Sequence, residues 1–160
     1  MQKLRIGNGY DVHRLAKGYD LWLGGIRIEH TKGSVGHSDG DVLIHAICDA
    51  LFGALAMRDI GYHFPDTDPS LKGIDSKLLL KKTMELIREK GYELVNLDST
   101  ISLQQPKVKK HIPVMQQTLA GAMSVEADAI SIKATTTEGL GFEGREEGVS
   151  AYAVVLLYKK

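Results

Sequence analysis

The chain has 160 residues, with 20 Lys+Arg balanced by 20 Asp+Glu, and 43% of its residues are hydrophobic. Balanced charge gives no overall pull toward nucleic acid or an anionic membrane, and the length suits one domain over residues 1–160 with a sizeable core. No apolar run approaches the roughly 20 residues of a membrane span, the N-terminus carries no signal-peptide pattern, and the one cysteine, Cys48, has no internal disulfide partner, which fits a reducing compartment.

Leu4 to Tyr10 reads as a strand. Leu21-Trp22-Leu23-Gly24-Gly25-Ile26-Arg27-Ile28 reads as a hairpin about a Gly-Gly turn, and residues 29–38 as a polar loop. A helix follows from about Asp39 to Met57, with Ser38 or Asp39 as its cap and Val42, Leu43, Ile47, Leu51 and Leu55 at helical spacing. Residues 58–74, with two prolines and several aspartates, read as loop. Asp75 or Ser76 starts a second helix that Gly91 ends near Lys90. A strand runs from about Tyr92 to Leu103, and a helix from about Val114 to Met123 with Pro113 near its first turn. Ile130 to Thr135 is a short strand and residues 136–148 are rich in threonine and glycine. Val149 to Tyr158 is the last strand, apolar enough to be buried on both faces. The pattern predicts an α/β (α+β) fold: a mixed sheet of about four strands with helices packed on one face.

Four stretches of residues carry chemistry. The stretch His37-Ser38-Asp39-Gly40-Asp41…His45…Asp49 places imidazoles and carboxylates at the start of an otherwise apolar helix, where such groups need partners. Asp11 and His13 are two apart, so on a strand they share a face. Asp11, His13 and His45 supply three zinc-type ligands and leave a fourth position open, as in catalytic sites. Asp41 and Asp49 lie four residues either side of His45, placed to orient it. The loop Phe64-Pro65-Asp66-Thr67-Asp68-Pro69 suits a flap whose carboxylates and amides hold hydroxyls. Lys133-Ala134-Thr135-Thr136-Thr137-Glu138-Gly139 suits a phosphate site, with Glu138 as a ligand for a hard cation such as Mg²⁺.

In order along the chain, Gly9-Tyr10-Asp11-Val12-His13, Ser38 to Ala50, Asp59-Ile60-Gly61, Phe64 to Pro69, Gln105-Pro106-Lys107, His111-Ile112-Pro113, Lys133 to Glu138 and Gly144-Arg145 resemble the 2-C-methyl-D-erythritol 2,4-cyclodiphosphate synthase family nearly end to end. The resemblance implies a lyase of the non-mevalonate isoprenoid pathway. Its substrate would be a cytidine-diphosphate-linked small molecule, 4-diphosphocytidyl-2-C-methyl-D-erythritol 2-phosphate, which closes on itself with release of CMP. It implies one Zn²⁺ per subunit on Asp11, His13 and His45, and Mg²⁺ or Mn²⁺ at the diphosphate with Glu138. His37 and Thr136 would position and polarise the phosphates, with Ser38 and Thr137 nearby. Asp59, Ile60, Gly61, Phe64, Pro65, Asp66, Thr67 and Asp68 would meet the methylerythritol moiety. Leu103, Gln104, Gln105, Pro106, Lys107, Val108 and Lys109 would form the cytidine pocket, with Ala134, Thr135 and Thr136 across an interface. The assembly would be a homotrimer, with no nucleic acid or membrane partner, in a bacterial cytoplasm or, if a transit peptide has been removed, a plastid-type organelle. Phe142, Arg145 and Glu147 would line a cavity on the threefold axis that holds an isoprenoid diphosphate in some members. Two other readings use the same residues: a zinc-dependent phosphohydrolase, and a non-catalytic isoprenoid-diphosphate-binding trimer.

Overall fold

A computed structural model describes residues 3–160; Met1 and Gln2, which open the N-terminal stretch read above, lie outside it. The elements in order are β1 (Leu4–Lys17), β2 (Leu21–Leu23), β3 (Ile26–Ile28), β4 (Lys32–Val35), α1 (Val42–Ala54), α2 (Ile60–His63), α3 (Ser76–Glu89), β5 (Tyr92–Ser102), α4 (Ile112–Met123), β6 (Ile130–Thr135), α5 (Gly141–Gly144) and β7 (Gly148–Lys159). Five strands form one sheet in the order β4-β1-β7-β5-β6, with β5 and β6 parallel and the other pairs antiparallel. The hairpin β2–β3 stands apart as its own ribbon. No described helix is long and apolar enough to cross a membrane.

The expected strand at Leu4–Tyr10 continues to Lys17, so Asp11 and His13 lie inside it. The fifth strand, β4, falls in the stretch read as loop. Its sequence, Lys-Gly-Ser-Val, has no apolar alternation to announce it; Gly33 fits because a Cβ there would lie 2.2 Å from the Asp20 carbonyl carbon.

Ten of the thirteen residues of α1 are buried, which makes it the central helix of the core. It lies against β1 at backbone contact. A Cβ on Gly9 would sit 1.9 Å from the Ala46 carbonyl oxygen, and one on Gly7 would sit 2.0 Å from that of Ala50. No other residue type permits that approach. The helix is capped by Asp41, two to three residues later than expected. Asp41 is fully buried and accepts three backbone N–H groups: Ile44 at 3.1 Å, Gly24 at 3.0 Å and Gly25 at 2.7 Å. One carboxylate thus caps α1 and pins the Gly-Gly turn of the hairpin to it.

Asp75 caps α3 as expected, and α3 buries Leu79, Leu80, Met84 and Ile87 on one side. Cys48 is fully buried, and burial pushes its thiol up to about 12, which removes it as a nucleophile. In β7, Val149, Ala151, Ala153, Val155 and Leu157 face the helices and are buried, but Tyr152 and Val154 are exposed on the opposite face. The expectation of burial on both faces therefore fails within one chain. Ile6, Tyr10 and Val12 of β1 are exposed on the same side, and the Tyr10 and Tyr152 rings pack at 4.8 Å. The sheet has helices on one face and an uncovered apolar patch on the other.

Candidate metal centre and substrate cleft

The backbone contact of α1 on β1 decides what His45 can reach. One residue before Ala46, it projects over the helix-side face of β1, where Asp11 and His13 stand. His45 Nδ1 is 3.1 Å from Asp11 Oδ2, His13 Nε2 is 3.0 Å from the same oxygen, and the two nitrogens are 3.0 Å apart. All three side chains are mostly shielded from solvent. Three such acceptors converge on one point only if protons or a cation hold them together. For a tetrahedral ion with bonds of about 2.0–2.1 Å, neighbouring ligand atoms stand about 3.3 Å apart. The triangle seen here is a few tenths of an ångström tighter, and three ligating atoms are in place for a metal ion. Burial alone would raise the Asp11 carboxyl, but hydrogen bonds from His13 and His45 outweigh it and hold Asp11 well below the usual carboxylate range. Burial alone would lower His45, but Asp11 and the nearby Asp41 and Asp39 raise it.

The triangle opens into a cavity of about 370 Å³. His37 and Ser38 join the three ligands on its polar side, while Ile60, Phe64, Leu71, Ile74 and Leu79 make an apolar wall. Gly61 and Asp66 lie at its margin. The neighbouring flap is organised by its own aspartates. Asp59 caps α2 by accepting Tyr62 N–H at 2.9 Å, and the Asp68 carboxylate accepts Ser70 N–H at 2.9 Å. Of the two flap carboxylates expected at the substrate, Asp66 faces the cavity and Asp68 is committed to Ser70. The Asp68 carbonyl lies 3.3 Å from His37 Nε2, which ties flap to cavity rim. Pro65 and Thr67 do not line the cavity.

Two orienting residues differ from expectation. Asp41 is turned inward to its three N–H donors, and Asp49 accepts Ile60 N–H at 2.7 Å, where it fixes the start of α2. Neither carboxylate hydrogen-bonds to the His45 ring; Asp41 meets His45 only through its carbonyl, which accepts the His45 backbone N–H at 3.1 Å. Its second nitrogen, Nε2, meets Ser38 Oγ and Ser76 Oγ, each at 3.1 Å. Ser76 had no visible reason in the sequence to stand there, 31 residues away; the only hint is that it opens a helix.

Leu103, Pro106, Lys107, Val108 and Lys109 line a separate pocket of about 190 Å³ together with Ala134, Thr135 and Thr136. Both segments come from the same chain, so no interface is needed to join them, contrary to expectation. Gln104 Oε1 instead accepts Gly139 N–H at 3.4 Å, and Gln105 is joined to Pro106 by a cis peptide bond. Thr136 and Glu138 are not brought to the metal triangle. Across the sheet, the register runs from Asp11 to Ala151, Ile101 and Ala134. That is three strand spacings, about 14 Å, and the middle two residues are fully buried. Glu138 is exposed with a positive φ of 55°; Thr137 Oγ1 donates to the Leu140 carbonyl at 2.5 Å. Phe142 lines a third cavity, of about 390 Å³, with Arg14, Lys32 and Glu147, and Arg145 pairs with Glu147 at 2.9 Å on the surface.

Residues 4–158 match the model of the YgbB family. The chain is 67% identical over 153 residues to the 2-C-methyl-D-erythritol 2,4-cyclodiphosphate synthase of Porphyromonas gingivalis, which covers 96% of this chain and 94% of that protein. It is 64% identical over 157 residues to the protein of the same name from Bacteroides thetaiotaomicron, covering 98% and 99%. Among solved structures, the bifunctional IspDF of Campylobacter jejuni superposes with a TM-score of 0.96 at 41% identity, over all of this chain and 43% of that longer one. A 2C-methyl-D-erythritol-2,4-cyclodiphosphate synthase bound to CDP superposes at 0.88 with 39% identity, over 96% of this chain and 99% of that one.

Proposed function

The chain belongs to the YgbB family, and on that premise we propose that it works as its relatives are named: as a lyase that converts 4-diphosphocytidyl-2-C-methyl-D-erythritol 2-phosphate to 2-C-methyl-D-erythritol 2,4-cyclodiphosphate and CMP. The observation that carries this reading is the Asp11–His13–His45 triangle opening into a cavity with one polar and one apolar side.

In the reaction an oxygen of the 2-phosphate bonds to the β-phosphorus of the same molecule. The bond from that phosphorus to the α-bridging oxygen breaks, and the electron pair leaves with CMP. Nucleophile and electrophile are tethered, so the protein needs no nucleophilic side chain; it must fold the tether and shield the phosphates from one another. Good orientation in such reactions supplies roughly 7–11 kcal/mol. The apolar wall of Ile60, Phe64, Leu71, Ile74 and Leu79 suits the methyl-branched carbon skeleton, and Asp66 suits its hydroxyls. His37, beside the triangle, suits the phosphates.

Asp11, His13 and His45 would hold the cation. Two imidazoles and a carboxylate with an open fourth position match Zn²⁺. When bound, such an ion supplies Lewis-acid and templating chemistry to phosphoryl oxygens. Glu138, an exposed carboxylate beside threonines, suits a Mg²⁺ or Mn²⁺ carried by the diphosphate.

The pocket at Leu103–Lys109 and Ala134–Thr136 is the cytidine site in this reading. It lies about three strand spacings, roughly 14 Å, from the triangle of the same chain, with the buried Ala151 and Ile101 between. The substrate therefore bridges two copies, and the uncovered face bearing Ile6, Tyr10, Val12, Tyr152 and Val154 is where the copies of a homotrimer meet.

The test is a CMP-release assay with zinc measured on the same sample and phosphorus NMR of the products. A cyclic diphosphate supports the reading. Linear phosphate products identify the alternative, a zinc phosphohydrolase.

A further inference from the structure

His45 turns its two ring nitrogens to two different sets of partners. Nδ1 faces Asp11 and His13. Nε2 faces Ser76 Oγ and Ser38 Oγ. A neutral imidazole carries one proton, and the partner of one nitrogen decides which lone pair the other can offer. For Nδ1 to give its lone pair to a cation, the proton must reside on Nε2 and find an acceptor there.

Ser76 is built to be that acceptor. It is fully buried at the first residue of α3. Its hydroxyl donates to Asp39 Oδ1 at 2.5 Å and its N–H donates to Asp39 Oδ2 at 2.8 Å. With its only proton committed to a carboxylate, the Ser76 oxygen has lone pairs alone to offer His45. Asp39 is itself fixed: its N–H donates to the Ile74 carbonyl at 3.1 Å, and its Oδ1 also accepts Asp41 N–H at 3.1 Å. Ser38 is the same distance from Nε2, but among the described residues its hydroxyl meets no carboxylate; it accepts Gly40 N–H at 3.2 Å and lies 3.5 Å from Ser76 Oγ.

We propose that Asp39 and Ser76 are positioning residues for the metal-ligating histidine: Asp39 orients the Ser76 hydroxyl, and the hydroxyl holds His45 as its Nε2–H tautomer with Nδ1 free for the cation. The proposal rests on the metal reading of the triangle. It makes the start of α3, and the flap that leads into it, part of the support of the metal centre. Groups of this kind typically alter metal affinity by about 10–100-fold.

Ser76→Ala removes the hydroxyl and leaves the N–H bond to Asp39 in place. In the full chain, the dissociation constant for Zn²⁺ or Co²⁺, measured by competition with a chelator, is expected to rise about 10–100-fold, while the melting temperature of the metal-free protein stays close to that of the wild type. A constant unchanged within twofold overturns the proposal. Asp39→Asn, which sets an amide donor beside Ser76, is expected to weaken binding in the same direction; an unchanged constant there removes Asp39 from the relay. A second measurement needs no variant: nitrogen NMR of the zinc-loaded, histidine-labelled wild type should show His45 bound through Nδ1, with an Nε2–H that exchanges slowly with water because the buried Ser76 hydroxyl holds it. A fast-exchanging Nε2–H, or zinc bound through Nε2, overturns the proposal even if Ser76→Ala fails to fold. Failure of the wild type to bind either metal sinks the metal reading on which the proposal rests.

Discussion

The metal triangle and the threonine loop are both rich in polar groups, yet one is enclosed between packed elements and the other lies open to solvent. Asp11, His13 and His45 sit on β1 and α1, which pack backbone against backbone at Gly7 and Gly9. Thr136, Glu138 and Leu140 sit on an exposed loop beyond β6, and Leu140 is 72% exposed. The first region needs only correct folding to bring its ligands together. The second lines a pocket with Leu103–Lys109 of its own chain and leaves Glu138 and Leu140 exposed, away from the triangle. Zinc binding and catalysis should therefore be separable by mutation.

The strongest test is His45→Ala. It removes one of three ligands, and zinc content should fall from one per chain to near zero. CMP release should fall by roughly 10³-fold or more, as expected when a metal's several kcal/mol of charge stabilisation is lost. Retained CMP release with zinc gone would break the assignment of the first region. Next is Val154→Asp, which puts a charge on the uncovered sheet face and touches neither region. Sedimentation should show monomers in place of trimers. Zinc should stay bound, yet CMP release should fall on the order of 100-fold, because reacting groups supplied by different copies no longer meet. Zinc-loaded, fully active monomers would show that the second region is complete in one chain.

Gly9→Ala attacks the first region through its scaffold. The added methyl meets the Ala46 carbonyl of α1, which is backbone and cannot swing aside. Overpacking against backbone belongs at the upper end of the usual range, about 3 kcal/mol, and at about 2–4 °C per kcal/mol for a domain of this size the melting temperature should drop by roughly 6–12 °C. Zinc affinity should fall with it, since His45 moves away from β1. A protein of unchanged stability would mean that the contact of α1 on β1 is looser than it stands here.

The same contrast explains what the sequence revealed. The elements with strong periodicity, α1, α3, α4 and the long strands, were legible, and so were the three ligands, because a strand fixes the facing of Asp11 and His13 and a helix fixes that of His45. The strand β4 was not legible, since Lys-Gly-Ser-Val lacks alternation and its pairing with β1 depends on tertiary packing. Asp41 read as a partner of His45 by its i−4 spacing. Its true partners, Gly24 and Gly25, are brought to it by a hairpin that no local pattern places there. Ser76 was hidden for the same reason. The uncovered face of β7 was read as buried because its apolar run is equally suited to a core and to a contact between copies.

The smallest effect belongs to Glu138→Gln, and it bears on the second region alone. Glu138 is exposed, holds no salt bridge among the described residues, and sits at a positive φ that the loop maintains through the hydrogen bond from its N–H to Thr136 Oγ1 at 3.3 Å. Glutamine keeps the size and the backbone but removes the charge, so folding, trimer formation and zinc content should be unchanged. If the carboxylate meets a divalent ion on the diphosphate, CMP release at limiting Mg²⁺ should fall about tenfold, which corresponds to about 1.4 kcal/mol. Excess Mg²⁺ should recover much of that loss. Equal activity at every Mg²⁺ concentration would show that the loop acts through its threonines and backbone alone. A loss that Mg²⁺ does not relieve would move Glu138 from the metal to the fit between copies.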